Sequence, residues 1–305
     1  MLAAVLVLSA AAQALAAPRA ELVMDMRTGE VVFAENADTQ LHPASLTKMM
    51  TLYIAFEAIE HGEIGLDTMV TVSAHAASEP PSKLGLKAGQ KIALRYLIRA
   101  AAVKSANDAA TAIGEAISGS EAAFAQRMNR TALAMGMTRT HFRNANGLTE
   151  EGHLSTARDM TILGRHVFYD YPDYYNLFSR LSVDVPGQKL PNTNRRFLSA
   201  YKGADGIKTG YTNAAGFNLV ASAERGGKRV IATMFGGTST QARNARVAEL
   251  LDYGFKQVPD RVAAIQPGRP GYVGDVGNVV VAKAGEPTPA TAGTIIRVSA
   301  APATS

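Results

Sequence analysis

The sequence predicts an α+β fold: one antiparallel sheet built from both chain ends, with flanking helices and an all-helical lobe inserted between its strands. Three observations carry this. Two β-rich runs within Glu21–Glu35 flank the turn residues Arg27-Thr28-Gly29-Glu30. A second pair, Gly216–Ala223 and Arg229–Phe235, flanks Arg225-Gly226-Gly227-Lys228. Between the two pairs the chain is Ala-rich and apolar at helical spacing.

The elements follow in order. After Pro43, the run SLTKMMTLYIAFEAIEHG is apolar at helical spacing and stops at Gly62. Residues 92–117 and 121–135 are amphipathic and Ala-rich, with Gly136 as a stop. Residues 240–256 read as a closing amphipathic helix against the sheet. A cleft is expected between the sheet and the helical lobe. Residues 259–305 differ: they hold six of the 13 prolines and two short strand-like runs, Val279–Ala282 and Thr294–Val298. They read as a Pro/Gly-rich tail or an incomplete small β module, so the main domain is expected to span residues 18–258.

Composition narrows the function. Hydrophobic residues are 47% and charged residues 19%, which excludes wholesale disorder. Cysteine is absent, so a disulfide framework, a cysteine-zinc site and a thiol nucleophile are excluded. The net charge of +5 comes without a basic run, and no nucleic-acid partner is expected. Residues 1–17, MLAAVLVLSAAAQALAA, form an apolar run too short to span a bilayer that ends in small residues. They read as a secretory signal peptide, although no Lys or Arg precedes the run. Export to a bacterial envelope, the periplasm, is the expectation.

Three short motifs carry chemistry. In Ser45-Leu46-Thr47-Lys48 the first and last residues share one face of a helix start, which sets Oγ against Nζ. A serine hydroxyl needs a base, and lysine is one only when burial or a neighbouring cation keeps it neutral. The same S-x-x-K pattern recurs at Ser199–Lys202, without a following helical period. Ser105-Ala106-Asn107 follows a helical run; its hydroxyl could relay a proton and its amide could hold a substrate carbonyl or the lysine. Lys208-Thr209-Gly210 enters the second hairpin, where Lys208 offers a second cation and Thr209 a carboxylate donor. Gly210 would let backbone approach the strand. Taken singly, each motif also reads as a cap, a turn or a strand entry.

Their order changes the reading. S-x-x-K opening a helix, S-x-N after a helix and K-T-G entering a hairpin resemble the set of the penicillin-recognising serine acyltransferases. More narrowly, the chain resembles the low-molecular-mass D-alanyl-D-alanine carboxypeptidases among the penicillin-binding proteins. Further support comes from Asp108-Ala109-Ala110, Asn146-Gly147-Leu148, His153–Met160, Asn192-Thr193-Asn194-Arg195 and Asp205–Gly210. The resemblance implies a β-lactamase/DD-peptidase-like fold. It implies that Ser45 attacks the penultimate D-alanine carbonyl of a peptidoglycan stem peptide and that Lys48 takes its proton. Ser105 and Asn107 would assist, and Lys208 and Thr209 would bind the terminal carboxylate. The backbone N–H groups of Ser45 and Tyr211 would form the oxyanion hole. Arg243 and Arg195 are similar to family arginines near the carboxylate site, and each also reads as a surface arginine. β-Lactams would acylate Ser45, and no metal or cofactor is implied.

The chain departs from the family's usual second β domain and amphipathic anchor after Val258, so membrane anchoring is not expected. Two rival readings exist. Glu151-Gly152-His153-Leu154-Ser155 loosely matches the E-x-x-L-N loop of a β-lactamase, but Ser155 stands where Asn is required. A non-catalytic peptidoglycan binder is the other, against which all motif residues are intact. His153 and Asp159 lack a second E-x-x-H for zinc and are expected to fix the loop after Asn146-Gly147-Leu148.

Overall fold

The computed structural model describes residues 18–274. The chain opens with a hairpin, β1 Ala20–Asp25 and β2 Val31–Glu35, then a 3₁₀ turn at Ala44–Thr47 that runs into α1 Lys48–Glu60. The helical lobe follows: β3 Met69–Thr71, α2 Ala74–Ser78, β4 Lys91–Ala93, α3 Leu94–Arg99, a π turn at Ala100–Lys104, α4 Asn107–Ser118 and α5 Glu121–Ala134. The chain returns through α6 Ala157–Asp170, α7 Pro172–Tyr175, the hairpin β5 Ser182–Val185 and β6 Gln188–Pro191, and α8 Arg195–Ala200. It closes with β7 Ala204–Thr212, β8 Gly216–Arg225, β9 Lys228–Gly237 and α9 Thr240–Gln257.

Both chain ends build one sheet, in the order β2-β1-β9-β8-β7, with every pairing antiparallel. Strand alternation sorts its two faces. Leu219, Ala221, Val230, Ala232 and Met234 pack with Val247, Leu250 and Leu251 of α9. Val220, Ile231 and Phe235 point the other way, into the main core with Met160, Leu163 and Val167 of α6. The β8–β9 turn has φ of +57° at Gly226 and +80° at Gly227, a two-residue turn that a side chain would strain. Helix α1 is buried on all sides from Lys48 to Ala58, so the helix that presents the first motif is held rigidly by the core.

The structure departs from the sequence pattern in three places. The Ala-rich stretch 92–117 is not one helix; it breaks at Ser105, whose φ of +63° ends the π turn before α4 begins. Two small two-stranded antiparallel sheets, β3–β4 and β5–β6, lie outside the pattern the sequence predicts. Residues 259–274 carry no helix or strand but lie against the body. Arg27 donates to the carbonyls of Pro259 (2.7 Å) and Asp260 (3.4 Å), Ile265 N donates to Arg27 O (2.9 Å), and Arg269 pairs with Glu60. The Tyr272 ring stacks on His61 with centroids 4.0 Å apart. The strand-like runs Val279–Ala282 and Thr294–Val298, and residues 1–17, lie outside the described residues.

Candidate active site

Ser45 sits in the 3₁₀ turn rather than in α1 itself, and Lys48 is the first residue of α1. The tighter turn keeps the two side chains on one face. Lys48 is fully buried; its Nζ lies 2.9 Å from Ser45 Oγ and donates to Asn107 Oδ1 (2.7 Å) and Asn146 O (2.6 Å). Asn107 is anchored in turn, since its Nδ2 donates to Pro80 O at 2.9 Å. Ser105 and Asn107 reach the cleft from the break between the π turn and α4. The left-handed backbone at Ser105 turns the chain sharply at that break.

Lys208 comes from β7, the edge strand on the cleft side of the sheet. It is buried, and its Nζ donates to Ser105 Oγ (2.8 Å) and Thr209 O (2.9 Å). Thr209 Oγ1 lies 2.9 Å from Thr193 Oγ1. Arg243, from α9, is also buried and lines the same cleft. The cleft is about 340 Å³ and is bordered by Ser45, Ser105, Asn107, Gly147, Thr193, Thr209, Gly210, Tyr211 and Arg243. A wider concavity of about 710 Å³ between Asn36–Gln40 and Arg139 holds no nucleophile with a base, and its Arg158 is engaged by Asp38.

Electrostatics favour a neutral Lys48. Burial pushes its pKa well below the ordinary lysine value, and the Lys208 charge adds to this; Glu79 and Asp108 oppose it. Burial, with the Arg243 charge, brings Lys208 down to about 7. Burial brings Arg243 down to about 10. Three basic groups thus share one poorly hydrated cleft, and an incoming carboxylate would restore charge to Lys208. The arrangement can take a proton from Ser45 Oγ and can attract an anion beside it.

The other motif residues fall as follows. A Cβ on Gly210 would lie 2.9 Å from Pro43 O and 3.1 Å from Ser45 N, so glycine here admits the nucleophile's own turn. Tyr211 is half exposed, with its ring tilted on Phe217. Arg195 is exposed at the start of α8 and is not brought to the cleft. The Asn192-Thr193-Asn194 turn buries both asparagines and presents Thr193, and α8 then carries Arg195 away. Ser199 and Lys202 lie on the surface at the end of α8, a short helix the sequence did not show. Glu151 is exposed and does not line the cleft. Thr47 Oγ1 lies 2.9 Å from His153 Nε2, and Arg143 N donates to His153 Nδ1 at 3.1 Å, so Nε2 carries the ring proton. Asp159 accepts from Arg139 N and Thr140 Oγ1.

Sequence reasoning assigned no role to three residues that shape the site. Asn146 supplies, through its main-chain carbonyl, the second acceptor for Lys48 beside Asn107. Asn218 Nδ2 donates to His42 O (3.0 Å) and Pro43 O (3.3 Å), which pins the Ser45 turn to the sheet. Asp108 accepts from the main-chain N–H groups of Leu84, Gly85 and Leu86. The signals were present as Asn146-Gly147-Leu148 and Asp108-Ala109-Ala110, but spacing alone does not say what such residues hold. Among the described residues one group could offer three metal ligands, His75, Glu79 and Glu121, within 4.8 Å of one another. All three are already engaged: His75 Nε2 lies 2.6 Å from Glu121 Oε2, and Glu79 Oε1 accepts from Thr111 and Asn146.

A mixed α+β fold whose sheet and helical lobe meet at a Ser–Lys pair is the architecture of the DD-peptidases. A model of the D-alanyl-D-alanine carboxypeptidase family matches residues 7–239. The chain belongs to this family. It is 38% identical over 244 residues to D-alanyl-D-alanine carboxypeptidase DacF of Bacillus subtilis, covering 78% of this chain and 62% of the relative. It is 37% identical over 257 residues to DacC of Escherichia coli, covering 81% and 64%. The chain thus spans less than two thirds of the length of these relatives. Penicillin binding protein 5 of Haemophilus influenzae superposes with a TM-score of 0.74 at 35% identity, over 78% of this chain and 70% of that one. Penicillin-Binding Protein D2 of Listeria monocytogenes in its ampicillin-bound form gives 0.69 at 32% identity, over 77% and 96%.

Proposed function

We propose that this chain is a serine-type D-alanyl-D-alanine carboxypeptidase that removes the terminal D-alanine from peptidoglycan stem peptides and is acylated by β-lactams. The observation that carries this is the 2.9 Å separation of Ser45 Oγ from a buried Lys48 Nζ, beside a second buried lysine. Ser45 loses its proton to neutral Lys48 and bonds the carbonyl carbon of the penultimate D-alanine. The oxyanion lies between the N–H groups of Ser45 and Tyr211. Ser105 and Asn107 guide proton return to the leaving amine and hold the acyl amide. Lys208 and Thr209 bind the terminal carboxylate, with Arg243 adding positive potential. Water then cleaves the ester and restores Ser45. Thr193, bonded to Thr209, extends the carboxylate subsite. The ampicillin-bound relative supports the β-lactam reading. Export to the envelope rests on the first 17 residues of the sequence.

The test is intact mass after exposure to penicillin, with the adduct mapped, and D-alanine release from a pentapeptide. Ser45→Ala should abolish the adduct, Ser199→Ala should leave it, and a strong chelator should leave D-alanine release intact. A slow-leaving adduct marks a carboxypeptidase; rapid β-lactam turnover marks a β-lactamase. An adduct mapped to any residue other than Ser45, or none at all, sinks the proposal.

A further inference from the structure

Lys48 aims at Ser45 because two other acceptors take its remaining hydrogen bonds, Asn107 Oδ1 and Asn146 O. What holds those two acceptors decides how well the base is aimed. The dipeptide Glu79-Pro80, just after α2, holds both. Pro80 O accepts from Asn107 Nδ2 at 2.9 Å. Glu79 Oε1 accepts from Asn146 Nδ2 (2.9 Å) and from Thr111 Oγ1 of α4 (2.8 Å). Asn146 is also tied by its other amide atom, since Leu148 N donates to its Oδ1 at 2.8 Å. The peptide group whose carbonyl meets Lys48 is therefore fixed at both ends of one side chain.

Glu79 is 6% exposed, does not line the cleft and touches neither Ser45 nor Lys48 through any described hydrogen bond. A carboxylate is costly to bury unless its partners repay it. Here the partners are an amide and a hydroxyl that lead to the base.

We propose that Glu79 is a positioning residue for the Ser45–Lys48 pair, holding through Asn146 the carbonyl that aims the lysine amine. This rests on the reading that Ser45 and Lys48 carry out acylation. The carboxylate also has an electrostatic consequence. The charged groups around Lys48 are Lys208 from β7, Asp108 from α4 and Glu79; His153, held against Thr47, stays neutral. Around Glu79 lie His75 from α2, Glu121 from α5 and Lys48. The negative charge of Glu79 favours protonated Lys48, so its removal lets Lys48 lose its proton at lower pH.

The experiment measures the rate of penicillin acylation of the folded fraction against pH, in the wild-type chain, Glu79→Gln, Glu79→Ala and Asn146→Ala. Gln keeps an acceptor oxygen for both donors. It should hold the plateau within about threefold, while the rising limb moves to lower pH. Ala removes the acceptor and should lower the plateau about tenfold or more, the size of a lost charge-assisted hydrogen bond. Asn146→Ala should show the same plateau loss, and the double Glu79→Ala/Asn146→Ala chain should add nothing to it. Full activity in Glu79→Ala, or equal losses in Gln and Ala, overturns the proposal. Should Glu79→Ala not fold, an unmoved limb in Glu79→Gln or a wild-type plateau in Asn146→Ala overturns it. A wild-type chain that is never acylated overturns the underlying reading instead, and the two failures are told apart.

Discussion

Replacing Gly147 with alanine should strike the site through its backbone. Gly147 has φ +84°, a left-handed conformation that costs an L-residue roughly 1–2 kcal/mol. A Cβ there would fall 1.9 Å from Ala44 O and 2.8 Å from Thr47 Oγ1, where real contacts stay beyond 3.0 Å. The Ala44 carbonyl must then retreat by more than an ångström, and Ala44 directly precedes Ser45. Overpacking of this kind costs roughly 1–3 kcal/mol more, so the whole loss is about 2–5 kcal/mol. Gly136 is the control: its φ is +82°, but a Cβ there meets nothing within 4 Å. Gly136→Ala should lose only the first part, about 1–2 kcal/mol. The assay is denaturant unfolding of both chains together with their penicillin acylation rates. Gly136→Ala should acylate at the wild-type rate. Gly147→Ala should acylate on the order of a hundredfold more slowly, as expected when a nucleophile is displaced by about 1 Å. If Gly147→Ala matches Gly136→Ala in both stability and rate, the claim that Gly147 sets the nucleophile's turn is refuted.

Three further outcomes follow from the site and its supports. Lys208→Gln removes a cation that disfavours protonated Lys48, so acylation should slow and its rising limb should move to higher pH. Lys208→Arg should keep the limb better than the rate, and unchanged rate and limb in Lys208→Gln would take Lys208 out of the site. His153 is buried, and burial holds it down to about 3. Below about pH 6.5 the unfolded chain takes up a proton that the folded chain resists, so stability should fall by up to about 1.4 kcal/mol per pH unit down to about pH 3. His153→Gln should flatten that slope in unfolding at pH 7 and pH 5, and parallel slopes in the two chains would exclude the assignment. A chain ending at Gln257 loses the Arg269–Glu60 pair and the Tyr272–His61 stack, so it should melt several degrees lower. Its acylation rate should be kept, because none of the described residues after Gln257 lines the cleft; a folded, inactive truncation would show that the tail shapes it.

Local rules were enough for much of this protein. Period-two alternation in β8 and β9, the Gly226-Gly227 turn and the helical spacing after Pro43 each depend on neighbours a few residues away, so a linear reading sees them. The same holds for Ser45 and Lys48, one turn apart, and for the order of the three motifs. Other features were invisible for the opposite reason. The break at Ser105 interrupts an Ala-rich stretch whose propensity favours a continuous helix, and packing around the π turn overrides that propensity. Arg195 carries a fitting charge two residues after Thr193, but the start of α8 turns it to solvent while Thr193 borders the cleft. Asn146, Asn218, Asp108 and Glu79 are ordinary polar residues in sequence. They matter because burial makes an unpaired polar group costly, and only the folded chain decides which groups are buried together. The chemistry of the pair was thus written in residue types and short spacings, whereas its aim is set by hydrogen bonds between residues 27 to 176 positions apart.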